Sequence, residues 1–226
     1  EKRSGLSAMT KEMETIAESF AGIELDIGNS VTKPRIGIVG EIYVRNHPFA
    51  NNNLIANLEK LGAACELACA AEWIYYTNLT RINKAKRNGL YNELFINGLQ
   101  NRIQHQIERK FAKPLENRFG SLAEEPIRHV IKLASPYLHH SFQGEAILSI
   151  GKMIELYHKG ISGIINVMPF GCMPSTIVSS ITRQISADCE NMPILNLSFD
   201  GQNDSSVIPK LEAFIECAGT KSPVHR

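Results

Sequence analysis

A single cysteine lies on a stiff turn in the segment NVMPFGCMPST, residues 166–176. Cys172 follows a hydrophobic run and has glycine, methionine and two prolines close by. A helix-like segment, PSTIVSSITRQISADC, begins just after it, and the amide dipoles of a helix N-terminus favour a thiolate. A thiolate serves as a nucleophile or a metal ligand, whereas a neutral cysteine packs as a small apolar residue. The residue types leave all three roles open.

The surrounding residues favour some of these roles over others. A nucleophilic cysteine normally needs a histidine base, and His47 is the one histidine close to a predicted strand end. The sequence therefore gives little support to cysteine–histidine catalysis. An iron–sulfur cluster takes three or four cysteines, and Cys172 is the one cysteine predicted at its edge of the sheet. If it binds a cluster, we expect the other thiolates in another domain or subunit.

Four apolar segments predict the strands that must position this cysteine. They are RIGIVGEIYV (35–44), AACELACA (63–70), GIINVM (163–168) and MPILNLSFD (192–200). Strands alternating with helices predict an α/β fold, a Rossmann-like and mainly parallel sheet of about four strands with helices on both faces. Amphipathic stretches predict a helical insertion at about 80–158, between strands two and three. We expect an N-terminal helix and linker over 1–32 and the α/β domain over 33–226.

The carboxyl ends of the predicted strands carry several polar residues. Ligands of such sheets bind outside these ends, at the switch point of the strand order. The topology therefore predicts that Glu41, Cys172 and Asp200 gather at one edge, where Tyr43 and Asn46 also line the cleft. A structural alternative remains, in which Glu41 caps a helix or joins a salt bridge and Asp200 caps its loop.

Composition and missing motifs exclude several classes of protein. Apolar residues make up 43% and charged residues 21%, which is typical of a soluble globular protein. The formal net charge is +1 with interspersed charges, which argues against nucleic-acid binding. No apolar run reaches the roughly 18 residues of a membrane span. The chain lacks GxGxxG, GxxxxGK[ST] and GxSxG, so we expect no dinucleotide turn, P-loop or nucleophile elbow.

The remaining cysteines indicate a reducing compartment. Five cysteines, an odd number, and no recognisable signal peptide predict free thiols and a cytoplasmic protein. Cys65 and Cys69 are four residues apart, and we expect both on one face of the second strand as small buried residues. Cys189 and Cys217 lie in helix-like segments and are interpreted as structural.

Several segments have a recognisable combined pattern. They are KPRIGIVGEIYVRNHPFANNNLIANLEKLGA, GEAILSIGKMIELYHKG, GIINVMPFGCMPSTIV, and MPILNLSFD followed by KLEAFIE. Over roughly residues 33–218 the chain resembles the carboxyl-terminal part of the 2-hydroxyacyl-CoA dehydratase D-component family. Within that family it is similar to the branch found in CoA-substrate-specific enzyme activases. The combination of PFGCMP with GEAILSIGK carries most of the resemblance.

The resemblance implies a role for Cys172. Proteins of this family hold an iron–sulfur cluster, such as a [4Fe–4S] centre, between Rossmann-like α/β domains. One cluster cysteine comes from the turn that aligns with Cys172, and the others from a preceding domain or partner subunit. The cluster receives an electron from an ATP-hydrolysing activator and passes it to an acyl-CoA, and a related branch reduces small molecules. The implied function is thus low-potential electron transfer in a dehydratase-like lyase or an ATP-dependent reductase.

The chain also departs from the family pattern. Where the family commonly has an acidic, glycine-containing segment, this chain has FDGQNDSSVIPKLEAF, with Pro209 and Lys210 replacing the usual residues. The ATPase motifs of an activase are absent, so we expect no ATP site in this chain. The alternative function is a cluster-free docking or regulatory module of a larger activase protein.

Overall fold

A computed structural model of the chain describes residues 2–24, 33–120, 124–202 and 206–220. The strands are β1 (Arg35–Gly40), β2 (Ala64–Leu67), β3 (Gly163–Pro169) and β4 (Ile194–Phe199). The helices are α1 (Lys2–Ala21), α2 (Ile42–Asn46), α3 (Leu54–Lys60), α4 (Ala71–Arg87), α5 (Tyr91–Phe119), α6 (Ile127–Ala134), α7 (Glu145–His158), α8 (Met173–Asp188) and α9 (Val207–Gly219). No helix among these residues is both long and apolar enough to cross a membrane.

The chain divides into two compact units, which differ in architecture. The first comprises Glu1–Ser30 and Ile74–Glu125, and its described elements are helices, with α1 packed against α5. The second comprises Val31–Trp73 and Pro126–Arg226 and contains the sheet. The sheet unit also contains α6 and α7, which the sequence placed in the insertion over 80–158. Most of the predicted linker before residue 33 lies outside the described residues.

The sheet unit has an α/β fold, as predicted from the sequence. Its four strands are all parallel and follow the order β2-β1-β3-β4. On one face, Ile36 and Ile38 of β1 share a buried core with α3 and α9. On the other, Gly37 leaves room for Leu156 of α7, and α8 packs on β3 and β4. Helices thus cover both faces, which explains the nearly continuous apolar strands.

β1 is shorter than the sequence predicted. The strand ends at Gly40 instead of residue 44, and the helix α2 begins at Ile42. Gly40 has a φ of +114°, and Glu41 caps the helix with its side chain. The alternation of apolar and polar residues in EIYV imitates a strand, but the positive φ and the cap redirect the chain.

β2 is also shorter than predicted. It ends at Leu67, so Cys69 lies beyond the strand and the two thiols do not share a strand face. The Ala68 amide still donates to the Ile38 carbonyl, at 3.0 Å. The Cys69 carbonyl accepts from the Arg45 guanidinium at 3.2 Å and from the Glu72 amide of α4 at 3.3 Å. The chain thus turns into α4 directly after this point instead of continuing the strand.

Candidate functional site

The candidate site is the carboxyl edge of the sheet around the ends of β1 and β3. From β1 the chain passes to β2 on one side, while β3 and β4 lie on the other, so the switch point lies between β1 and β3. The Glu41 amide donates to the Val167 carbonyl at 3.0 Å, which holds the end of β1 against β3. Cys172 follows the end of β3, and Asp200 follows β4.

Cys172 is the N-cap residue of α8, and its turn is well defined. The Cys172 amide donates to the Pro169 carbonyl at 3.2 Å, and its carbonyl accepts from the Thr176 amide at 2.9 Å. Gly171 provides the φ of +75° that the turn needs. The half-buried sulfur accepts a hydrogen bond from the Ser175 hydroxyl at 3.3 Å. The backbone therefore fixes the residue, while the described contacts give the thiol one weak hydrogen bond.

Two large apolar side chains flank this thiol in sequence and are exposed. Phe170 is 80% exposed and Met173 is 69% exposed, although the backbone of both is held in the turn and the helix start. The turn thus carries two exposed apolar residues within two positions of the cysteine.

Glu41 acts as a helix cap. Its Oε1 accepts from the Tyr43 amide at 3.1 Å, and its Oε2 accepts from the Val44 amide at 2.8 Å. Both carboxylate oxygens thus satisfy amide groups that the first turn of α2 leaves unpaired. The structural alternative for Glu41 is the one that the geometry shows.

The other predicted cleft residues are also engaged locally. Asp200 accepts from the Gln202 amide at 2.9 Å, which makes a turn after β4. Asn46 donates to the Ile42 carbonyl within α2, at 2.7 Å. Tyr43 is exposed, and its ring stacks on His47 with centroids 5.0 Å apart. Their polar groups lie at the edge, but those of Asp200 and Asn46 already have partners within their own loop or helix.

Sequence reasoning missed Arg45, the buried cation at this edge. Arg45 is 6% exposed. Its guanidinium donates to the Gly40 carbonyl at 3.4 Å and to the Cys69 carbonyl at 3.2 Å. Burial lowers the pKa of Arg45, while the charges of Glu72, Glu145, Cys69 and Glu41 act to raise it. Arg45 therefore joins the ends of β1 and β2. The sequence did not indicate Arg45 as part of this edge because it wrongly predicted that the strand continues to residue 44.

A second buried ionic group lies on α7. Lys152 contacts Glu72 at 2.7 Å and Glu155 at 3.2 Å, and no side chain of the three is more than 5% exposed. Lys159, more exposed, contacts the same Glu155 oxygen at 2.6 Å. Such a cluster is costly to break because removing Lys152 takes a cation away from two buried carboxylates. It ties α7 to the start of α4.

Cys69 is a second thiol at the same edge of the sheet. It follows β2 and precedes α4, as Cys172 follows β3 and precedes α8. Its sulfur accepts from the Ala71 amide at 3.4 Å, and it too is half-buried. The strand β1 separates β2 from β3, so the two turns are about 10 Å apart across the sheet by strand spacing. The sequence predicted one cysteine at this edge, whereas the structure places two there, Cys69 and Cys172.

The donor set is compatible with part of an iron–sulfur site. Cys172 offers a thiol on a rigid turn, and the Ser175 hydroxyl supplies the kind of hydrogen bond to sulfur that tunes a cluster. Three or four thiolates are needed, and the described residues place only two cysteines at this edge. Since all five cysteines of the sequence are described, a complete site would need ligands from another domain or subunit.

Comparisons with protein-family models, with curated proteins and with solved structures found no match for this chain. The fold itself shows an α/β protein with a parallel sheet of order β2-β1-β3-β4.

Proposed function

We propose that the sheet unit is one α/β domain of an iron–sulfur protein, in which Cys172 supplies one thiolate to a cluster. The observation that carries the proposal is the position of this thiol. It lies on a rigid turn after β3, next to the switch point, and its neighbours Phe170 and Met173 are exposed. The sequence resemblance to the 2-hydroxyacyl-CoA dehydratase and activase proteins supports the same assignment.

The residues of this chain would have separate tasks in that site. Cys172 binds through its sulfur, and Ser175 donates its hydroxyl to that sulfur. Phe170 and Met173, which are exposed in this chain, would pack against the domain or subunit that completes the ligand set, and that partner would shield the sulfur from solvent. Arg45 and Glu41 hold the end of β1 in place. When bound, the cluster would supply one-electron transfer at low potential.

The resemblance extends the proposal to the partners. The electron donor would be an ATP-hydrolysing activator protein, and the acceptor an acyl-CoA or another small molecule. The complete assembly would be a dehydratase-like lyase or an ATP-dependent reductase. The chain described here would contribute a wall of the reaction cleft.

Anaerobic reconstitution of the full-length protein with iron and sulfide tests the proposal. We expect bound iron and sulfide and a broad absorption band near 400 nm, as iron–sulfur proteins show. Replacing Cys172 with serine removes one thiolate and should reduce the iron content and the band by at least about half, since a cluster that lacks a ligand is labile.

Cys217→Ser is the matched control. Cys217 is an exposed cysteine on α9, away from the carboxyl-edge turns, so its loss should leave iron binding unchanged. Equal iron content in the Cys172→Ser and Cys217→Ser proteins would contradict the proposal.

A docking module is the second candidate, and the exposure of Phe170 and Met173 favours it. In that case Cys172 only shapes the turn, and an activator ATPase would bind the apolar pair directly. Replacing both apolar residues with serine would then abolish binding of the activator, while Cys172→Ser would leave it intact. The cluster hypothesis predicts loss of iron with Cys172→Ser whether or not the activator binds.

A further inference from the structure

α1 and the turn that follows it carry an apolar seam that the rest of their own unit leaves partly exposed. We define the seam as six positions at alternating spacings of three and four residues. They are Leu6, Met9, Met13, Ile16 and Phe20 of α1, and Ile23, which lies two residues beyond its end. Five of these side chains are 38% to 58% exposed, and Met13 is partly buried. This spacing is that of the a and d positions of a coiled coil.

α1 already uses a different face for packing within its own unit. Ala17, next to the seam, is 1% exposed, and Glu18 forms an ion pair with Arg118 of α5 at 3.6 Å. Thr10 and Glu14 face α5 from the same side. The contact with α5 therefore fixes α1 as a helix without burying the seam.

The residues beside the seam, on the side away from α5, are small and nearly uncharged. They are Gly5, Ala8, Glu12, Thr15, Ser19 and Gly22, and all six are exposed. Only Glu12 carries a charge. A second helix with the same sequence can therefore approach closely. In coiled coils with charged flanking positions, the same approach would bring several like charges together.

The hydroxyl groups of Thr15 and Ser19 on this face donate their hydrogen bonds within the helix and not to water. Thr15 donates to the Lys11 carbonyl at 3.2 Å, and Ser19 donates to the Thr15 carbonyl at 3.0 Å. Because these groups are paired within the helix, burying them leaves no donor unsatisfied. The face can be dehydrated at low cost.

The area also matches an interface between two copies. The seam side chains expose on the order of 500 Å², at the upper end of the apolar patches of soluble monomers. Adding the small flanking residues brings the face to roughly 800 Å², the usual contribution of one partner to a stable complex.

We propose that the seam of α1 pairs with the seam of a second copy of this chain, so that the protein is a homodimer held by a two-helix contact. An isologous contact fits this surface, because the same patch on both copies is self-complementary. The occupant is another α1 helix, and the proposal is independent of any cluster at the sheet edge.

Sedimentation equilibrium of the full-length protein tests the proposal. We expect a reversible monomer–dimer equilibrium with the dimer predominant in the wild type. Ile16→Asp should raise the dissociation constant at least about 100-fold, because it buries an uncompensated carboxylate from each copy. Ile16→Ala should raise it about tenfold, since it shortens the seam without adding a charge.

Lys11→Asp is the control, since it places the same carboxylate on an exposed part of α1 outside the seam. It should leave the dissociation constant within about twofold of the wild type. Far-ultraviolet circular dichroism verifies that each variant keeps its helix content, and Ile16→Ala provides the test if Ile16→Asp does not fold. A wild-type protein that stays monomeric at every concentration would overturn the proposal. So would a dimer that neither Ile16 variant weakens.

Discussion

The two halves of the carboxyl edge are built differently, although both follow adjacent parallel strands. After β1, the carboxylate of Glu41 caps α2 with both oxygens, and the guanidinium of Arg45 joins the Gly40 and Cys69 carbonyls. After β3, the backbone of the turn is fixed, and among the described residues the Cys172 thiol accepts one hydrogen bond, from the Ser175 hydroxyl at 3.3 Å. The polar side chains of the β1 half are engaged in local structure, while the thiol of the β3 half is half-buried and weakly bonded.

This difference shows that position at the switch point does not by itself make a residue functional. Glu41 and Asp200 lie beside the same edge as Cys172, but their oxygens are bound to backbone amides. The useful criterion is whether the side chain has partners after the local turn is satisfied. Substitutions in the engaged half should therefore lower stability, whereas changing Cys172 should affect binding with little effect on folding.

The largest loss of stability should come from the buried ionic cluster. Lys152→Met removes the buried cation that Glu72 and Glu155 share, although Glu155 keeps its contact with Lys159, and this loss should cost about 3–5 kcal/mol. Urea unfolding followed by circular dichroism measures the effect. Lys159→Met is the control, since that side chain is 38% exposed, and should cost about 1 kcal/mol or less. Equal losses in the two variants would show that the cluster is not the anchor we describe.

Gly40→Ala should have the next largest effect. A methyl group there would lie 2.0 Å from the Val167 carbonyl oxygen, and the φ of +114° is unfavourable for any residue with a Cβ. We expect a loss of about 3 kcal/mol, because the clash is with backbone of the neighbouring strand. Thermal unfolding provides the measurement. Gly62→Ala, also at positive φ but with open space around it, should cost clearly less.

Glu41→Ala tests the helix cap at the end of β1. Removing both carboxylate oxygens leaves the Tyr43 and Val44 amides without their partner, which should cost about 1 kcal/mol. Glu41→Gln keeps one acceptor oxygen and should recover part of the loss. Chemical denaturation of the three proteins in parallel gives the comparison. A loss of iron binding in Glu41→Ala at unchanged stability would instead assign Glu41 to the site.

Cys172→Ser should have the smallest effect on folding. The thiol is half-buried and makes one weak hydrogen bond, so we expect a change within about 0.5 kcal/mol. The same unfolding experiment measures it. A loss of more than about 2 kcal/mol would identify the thiol as a packed structural group and contradict the distinction between the two halves.

The sequence was sufficient for the fold because the strands are buried on both faces and are separated by clear helical periodicity. It failed at the ends of β1 and β2. Residues 41–44 alternate like a strand, but the positive φ of Gly40 and the cap by Glu41 depend on the neighbouring strand β3 and on local geometry. Because β1 was predicted too long, Arg45 was not recognised as part of the edge. Because β2 was predicted too long, Cys69 was placed within a strand.

The location of Cys172 followed from sequence because its turn is encoded locally. Gly171 and the prolines on either side specify a tight connection between β3 and α8, and the apolar runs around it are unambiguous. The partners of Glu72 and Lys152 could not be predicted, since they are 80 residues apart and meet only when α4 and α7 are in place. Contacts between distant segments carry no local sequence pattern.

Alkylation of single cysteines gives the most direct test of the central claim that Cys172 is a ligand. Burial raises the pKa of Cys65 and of Cys189 to about 11, so these thiols should react slowly with iodoacetamide near pH 8 and serve as an internal reference. Exposed Cys217 should react at the same rate with and without iron. In the metal-free protein, Cys172 should react much faster than the two reference thiols.

Mass spectrometry of the labelled peptides resolves each site before and after anaerobic reconstitution with iron and sulfide. If Cys172 is a ligand, reconstitution should slow its alkylation at least about tenfold while Cys217 is unaffected, because a metal-bound thiolate is not free to react. Equal alkylation of Cys172 in the metal-free protein and in protein that retains iron would contradict the account.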